Sequence, residues 1–249
     1  MKWIDLETRC YAPYSGLKDF CMVKGSSGVL YPGVRVENIS FPLSIGAAQA
    51  AIFSCLSEGD TPGALLFPDK IETKDHTRKT SSCSEKELLY WCDEFGLKCN
   101  TSSHPVSGTD ERFFQTNEQN ADIARLRELT DRCIIPYSAF PVTALLVTDA
   151  GIFSGVNIEV DDWQKGLCAE RVAIAKARAS GAASFQEIHV YAPQSDYVSP
   201  CGACRQVLVE HMGDGVMYMH HNDVETSRLT VADLLPYQFK AGSLGHKQH

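Results

Sequence analysis

Cys168, Cys201 and Cys204 offer three thiolates, and Glu170 stands two residues after the first of them. They sit in the runs Cys168-Ala169-Glu170-Arg171 and Pro200-Cys201-Gly202-Ala203-Cys204-Arg205. A structural zinc site is closed by four protein ligands, whereas a catalytic one keeps a place for water. Three cysteines with a carboxylate beside them therefore predict attack by metal-activated water, with Glu170 carrying the proton. His211, His220 and His221 are conceivable fourth ligands, but surface or core positions are the commoner fate of such histidines.

The surrounding pattern supplies the elements that would hold these groups. Both cysteine motifs open predicted helices, Cys168–Ser180 and Cys201–Met212, and a helix N-terminus favours thiolate over thiol. A further helix is expected over Ala121–Cys133, with Ile123, Leu126 and Leu129 on one side. Strands are expected at Pro141–Val147, Ile152–Ile158, Glu187–Ala192 and Val216–His220, the last closing the sheet. Alternating helices and strands predict an α/β layered fold with one mixed central sheet.

An internal repeat organises the chain. Gly33-Val34-Arg35-Val36-Glu37-Asn38 matches Gly155-Val156-Asn157-Ile158-Glu159-Val160, 122 residues on, and Ala12-Pro13-Tyr14-Ser15 returns as Ile135-Pro136-Tyr137-Ser138. Two lobes are expected, residues 1–99 and 121–249, joined by a polar linker over 100–120. The tail Gly245–His249 is expected to be disordered.

Composition narrows the function classes. A net charge of −8 without basic clusters argues against nucleic acid as a partner. The N-terminal residues lack an apolar signal core and no stretch reaches membrane-spanning length, so a cytoplasmic protein is expected. In that compartment the seven other cysteines read as small buried hydrophobes rather than disulfides.

Pro136-Tyr137-Ser138-Ala139-Phe140-Pro141-Val142, Gly155-Val156-Asn157-Ile158-Glu159, Cys168-Ala169-Glu170-Arg171 and Pro200–Gln206 together resemble the free-nucleoside cytidine deaminases, in order and spacing. The resemblance runs from about Cys133 to Phe239 and implies a three-layer fold with helices on both faces of the sheet, here duplicated in tandem. It implies one zinc per chain on Cys168, Cys201 and Cys204, with Glu170 as the proton shuttle. Asn157 and Glu159 would grip the ribose and Phe140 would pack on the base. Arg171 and Arg205 are expected to donate hydrogen bonds to the sulfurs and so offset their negative charge. The implied reaction converts cytidine and deoxycytidine to uridine and deoxyuridine in pyrimidine salvage.

The first lobe departs from that pattern. Gly46 aligns with Cys168, Ala48 with Glu170, Gln49 with Arg171 and Arg35 with Asn157; Ser82 and Glu85 align with Cys201 and Cys204. No zinc triad survives there, so this lobe is expected to be non-catalytic. It keeps Asn38-Ile39-Ser40-Phe41-Pro42-Leu43, similar to a segment that reaches into a neighbour's site in the family, while the second lobe reads Val160-Asp161-Asp162-Trp163-Gln164-Lys165. Ser40, Phe41 and Leu43 are therefore expected to line the catalytic pocket across a lobe–lobe contact. Two double-lobed chains would make a homodimer, and Phe239 resembles a residue that closes a neighbouring site. Two rival readings remain: a deaminase of a modified cytosine nucleoside or cytosine-containing antibiotic, and a zinc-stabilised binding protein without catalysis.

Overall fold

The computed structural model describes residues 3–68, 85–102, 115–116, 121–221 and 225–239. Two sheets carry it, one per lobe. In the first, α1 (Trp3–Arg9) precedes the hairpin β1 (Phe20–Gly25) and β2 (Leu30–Val34), then α2 (Ala47–Ser57), β3 (Pro62–Pro68), α3 (Glu85–Phe95) and β4 (Lys98–Ser102). In the second, β5 (Gln115–Thr116) and α4 (Ile123–Leu129) precede β6 (Thr143–Thr148) and β7 (Gly151–Val156). There follow α5 (Ala169–Ser180), β8 (Phe185–Tyr191), α6 (Gly202–Met212), β9 (Val216–His221) and β10 (Glu225–Thr230).

The strand orders show the duplication directly. The first sheet runs β2-β1-β3-β4 and the second β10-β9-β8-β6-β7-β5, so β7-β6-β8-β9 repeats the first sheet strand for strand. Orientation repeats too: β1 is antiparallel to β2 and β3 as β6 is to β7 and β8, and β3–β4 and β8–β9 are the parallel pairs. The second sheet does not end at Val216–His220 as expected. β10 adds an antiparallel edge strand to β9, and β5 adds one beside β7. The described residues of the 100–120 stretch thus belong to the two sheets.

Helices cover both faces of the second sheet. Thr143 Oγ1 bonds the Leu126 carbonyl of α4, while the neighbouring pair Ala144 and Gly155 points to the opposite face. There a Cβ on Gly155 would fall 2.1 Å from the Ala169 carbonyl, so only glycine lets α5 approach β7 this closely. Gly33 permits the same approach in the first lobe, where its Cβ would meet the Ala47 carbonyl at 2.2 Å. Buried apolar residues form one continuous core through both lobes.

One sequence expectation needs adjustment here. Cys92 and Cys99, read as free small hydrophobes, are joined by a disulfide between α3 and β4. Tail residues 245–249 lie outside the described residues, as does Ser82.

Candidate active site

Both cysteine motifs take the cap position before a helix. Cys168 precedes α5 with φ −68° and ψ 157°, and Cys201 precedes α6 with φ −65° and ψ 166°. Extended backbone at a cap leaves the first helical N–H groups unpaired by the helix, and the Cys201 sulfur accepts one of them from Cys204 at 3.4 Å. The two helix starts converge, so that the three Sγ atoms lie within 4.8 Å of one another. Cys168 Sγ and Cys201 Sγ stand 3.7 Å apart, close to the spacing of two sulfurs about 2.3 Å from one tetrahedral ion. This donor set fits zinc. Hydrogen bonds from Cys168 and Cys204 hold the Cys201 thiol well below its usual range, and the same contacts push Cys168 and Cys204 up.

Glu170 lies on the first turn of α5, 3% exposed, and its Oε2 has no hydrogen-bond partner. Burial pushes its carboxyl up to about 7. A buried, unpartnered carboxylate oxygen is costly in a finished core and useful where a substrate will bring the missing group. Glu170 opens onto a cavity of about 240 Å³ together with Cys168, Cys201, Phe140, Ala192 and Val198.

Asn157 and Glu159 both serve the loop that carries Phe140. Asn157 Nδ2 donates to the Phe140 carbonyl at 2.8 Å, and its Oδ1 accepts from the Val142 N–H at 2.9 Å. Glu159 Oε2 accepts from the N–H groups of Tyr137 (2.9 Å) and Ser138 (3.1 Å). Burial raises the Glu159 pKa, but these bonds outweigh it and hold the carboxyl below its ordinary value. Between them Ala139 adopts φ 51°, a left-handed conformation that a non-glycine residue keeps only when its surroundings dictate it. The first lobe retains half of this arrangement: Glu37 accepts from the N–H groups of Tyr14 and Ser15 at 3.0 and 3.1 Å. There Arg35, in the place of Asn157, bonds Glu37 at 2.8 Å.

A second cavity of about 440 Å³ adjoins the first, sharing Phe140, Val142, Asn157 and Cys168 and adding Glu159 and Trp163. Sequence reasoning missed Trp163, Val142 and the Tyr197–Ser199 segment as lining residues. The last was signalled by its place directly before the Cys201 motif. His221 fixes it, accepting the Val198 N–H at 2.9 Å and stacking on Tyr197.

Other expectations fall elsewhere. Neither arginine reaches a sulfur. Arg171 Nη2 crosses to the Leu43 carbonyl of the first lobe at 3.0 Å, while Arg205 ties down Pro200 and Ser199 at 2.9 and 2.8 Å. Both guanidiniums find oxygen acceptors, which make stronger bonds than sulfur. Within the chain, Ser40, Phe41 and Leu43 line neither cavity, and Phe41 is 84% exposed. Phe239 is exposed and lines neither. His211, His220 and His221 bond Arg178, His189 and Thr226, and Val198 and Ser227, and are not in the thiol cluster.

In the first lobe the corresponding space is filled. A Cβ on Gly46 would fall 2.1 Å from Glu87 Oε1, so Glu87 of α3 stands against the position equivalent to Cys168. Among the described residues, the three thiols are the one cluster of potential metal ligands.

The family model for the cytidine and deoxycytidylate deaminase zinc-binding region matches residues 116–220. A cytidine deaminase of Sporosarcina psychrophila is 40% identical over 126 residues, covering 50% of this chain and 93% of the relative. The blasticidin-S deaminase of Bacillus cereus is 28% identical over 137 residues, 51% of this chain and 97% of that protein. The crystal structure of a Burkholderia pseudomallei cytidine deaminase, 33% identical, covers 47% of this chain and 95% of its own, with a TM-score of 0.45.

Proposed function

Since this chain belongs to the cytidine deaminase family, we propose that it hydrolyses cytidine and deoxycytidine to uridine and deoxyuridine, releasing ammonia. The observation that carries this reading is the buried Glu170 Oε2, unpartnered and opening onto the same cavity as Cys168 and Cys201. Cys168, Cys201 and Cys204 would hold one zinc per chain, which when bound makes water a nucleophile near neutral pH. The cytosine ring enters the smaller cavity between Phe140 and Val198 with C4 toward the thiols. Glu170 takes the proton released from water, places it on N3, and passes a proton to the departing amino group. Its raised affinity for protons suits both directions of transfer.

Asn157 and Glu159 meet the ribose. Each has hydrogen-bonding capacity beyond the bonds it makes to the loop, because an amide oxygen and a carboxylate each accept more than one donor. The fixed Phe140 loop presents the base-packing ring without reorganisation at the moment of binding. The first lobe, residues 1–99, is a non-catalytic partner, and 121–249 the catalytic lobe. Two chains pair as a homodimer in which a second copy brings Ser40, Phe41 and Leu43 to the site. This assignment is consistent with a cytoplasmic enzyme of pyrimidine salvage. A non-catalytic zinc protein has no use for an unpartnered buried Glu170.

The test is loss of cytidine absorbance on adding zinc-loaded protein, with Glu170→Ala alongside. Turnover abolished in the variant while zinc content is unchanged is the expected result. No turnover of any cytosine nucleoside by intact, zinc-loaded protein would overturn the reading.

A further inference from the structure

Tyr197, Val198 and Ser199 line the compartment of about 240 Å³ together with Glu170. They lie between the end of β8 at Tyr191 and the start of α6 at Gly202, so neither a sheet ladder nor a helix pairs their backbone. Val198 is 3% exposed. A buried N–H outside regular structure must find its acceptor in a side chain or go unsatisfied at a cost.

The ties at either end of this segment are local. Ser195 Oγ donates to the Tyr197 carbonyl at 2.7 Å and accepts from the Tyr197 N–H at 3.3 Å. Arg205 holds the Pro200 carbonyl and Ser199 Oγ, reaching back no more than six residues. Val198, in the middle, is held from elsewhere in the fold. Its N–H donates at 2.9 Å to Nδ1 of His221, 23 residues on, at the end of β9. Since Nδ1 accepts, the ring proton sits on Nε2, which stands 2.8 Å from Ser227 Oγ of β10. The edge strand β10 thus supplies the group that keeps His221 in its accepting tautomer. The imidazole also lies parallel to the Tyr197 ring, with centroids 5.1 Å apart and planes 10° from each other.

We infer that His221 is a positioning residue of the deamination site, which through the Val198 N–H sets where the Val198 wall meets the cytosine ring. The inference rests on the deaminase reading and adds to it a residue outside the thiols and the carboxylate. His221 lines neither cavity and is not in the thiol cluster, so its effect reaches the substrate only through the segment it holds. Val198 meets the ring in the bound substrate and in the reacting complex alike. Loss of the tie therefore weakens binding and spares the chemical step.

Two substitutions separate the acceptor from the ring. His221→Phe keeps an aromatic ring against Tyr197 and removes the acceptor. His221→Asn removes the ring and keeps an acceptor, its Oδ1 taking the place of Nδ1. In zinc-loaded enzyme, His221→Phe should raise KM for cytidine about tenfold with kcat changed by less than about threefold, and His221→Asn should recover most of that loss. Ser227→Ala should raise KM by a smaller factor in the native background and add nothing to His221→Phe, because the tautomer it fixes is then gone. An unchanged KM in folded, zinc-loaded His221→Phe would overturn the inference. So would a KM for His221→Asn as high as that of His221→Phe, since the ring contact and not the acceptor would then matter. A fall in kcat that tracks lost zinc would place the action of His221 on the metal and refute it as well. Calorimetric titration with uridine reads the same wall without turnover, and its dissociation constant should rise with KM. If no cytosine nucleoside is turned over while His221→Phe still weakens uridine, the reading of the reaction fails and the hold of His221 on the compartment stands. If cytidine is turned over and uridine binding is the same in His221→Phe and the native chain, the positioning role fails alone.

Discussion

Gln49 and Arg171 stand 122 residues apart and do the same work in opposite directions. Gln49 Nε2 donates to the Lys165 carbonyl at 2.6 Å, and Arg171 Nη2 donates to the Leu43 carbonyl at 3.0 Å, Leu43 and Lys165 being separated by the same interval. The two lobes therefore meet about a pseudo-two-fold axis, with α2 and α5 packed across it. The symmetry is broken where charge is buried. Lys176 of α5, 0% exposed, pairs with Glu58 of the first lobe and bonds Ser57 Oγ (3.2 Å) and Ser154 Oγ (3.0 Å), whereas the positions one repeat interval away are Ser54 and Ser180.

Removing Glu58 leaves the buried Lys176 ammonium without its half-buried counter-charge. Glu58→Gln should therefore destabilise the folded chain by about 3 kcal/mol. Adding Lys176→Met should recover most of that loss, because a buried pair exchanged for an apolar side chain is close to neutral. Urea unfolding of the two variants checks both statements, and a Glu58→Gln midpoint equal to that of the native chain would refute the first.

Gly33 and Gly155 allow a matched comparison. Alanine at Gly155 would force Ala169, and with it the adjoining Cys168 and Glu170, away from β7. Alanine at Gly33 pushes on Ala47 of a helix that carries no ligand. Both substitutions should lower stability by about 1–3 kcal/mol through overpacking, but Gly155→Ala alone should weaken zinc binding. Competition with a chromogenic zinc chelator distinguishes them.

His211 predicts an acid sensitivity. Arg178 Nη2, which can only donate, meets His211 Nδ1 at 3.3 Å, so Nδ1 accepts and the ring is neutral. Burial, reinforced by the Arg178 charge, holds its pKa down to about 3. A folded pKa below the ordinary value of 6.5 means that the unfolded chain binds more protons between those limits. Stability from this group is thus complete above pH 6.5 and declines as the pH falls toward 3. Unfolding midpoints between pH 7 and 5 should fall less steeply for His211→Phe than for the native chain.

Zinc removal should lower the melting temperature, because an ion bound only to the folded state stabilises it by mass action. Metal analysis should give one zinc per chain in the native protein and in Glu170→Ala, and close to none in Cys204→Ser. Two per chain would require ligands outside the thiol cluster.

The thiol cluster and the two-lobed α/β plan were legible in the residues because both rest on local signals. Cys168 and Cys201 sit at helix starts, and the repeat keeps Gly33 and Gly155 where helix and strand must touch. Long side chains were less legible. Arg171 lies next to Glu170 in sequence, yet its reach took it to Leu43 in the other lobe, which no motif spacing records. Glu87 stands against Gly46, because the interval between matching elements shortens from 123 residues at β3 and β8 (185 − 62) to 117 at α3 and α6 (202 − 85). Trp163 reads as a lost motif in sequence and becomes a wall residue only when Glu94 and Gln49 fix its loop.

The contacts of Arg171, Glu210 and Lys176 with Leu43, Ile39 and Glu58 bind α5 and α6 to the first lobe. In an assembly of separate single lobes such contacts would dissolve on dilution. Here they are intramolecular, and the tether supplies an effective concentration far above that of any enzyme in solution. The helices that carry the thiols and Glu170 therefore keep this support at any dilution.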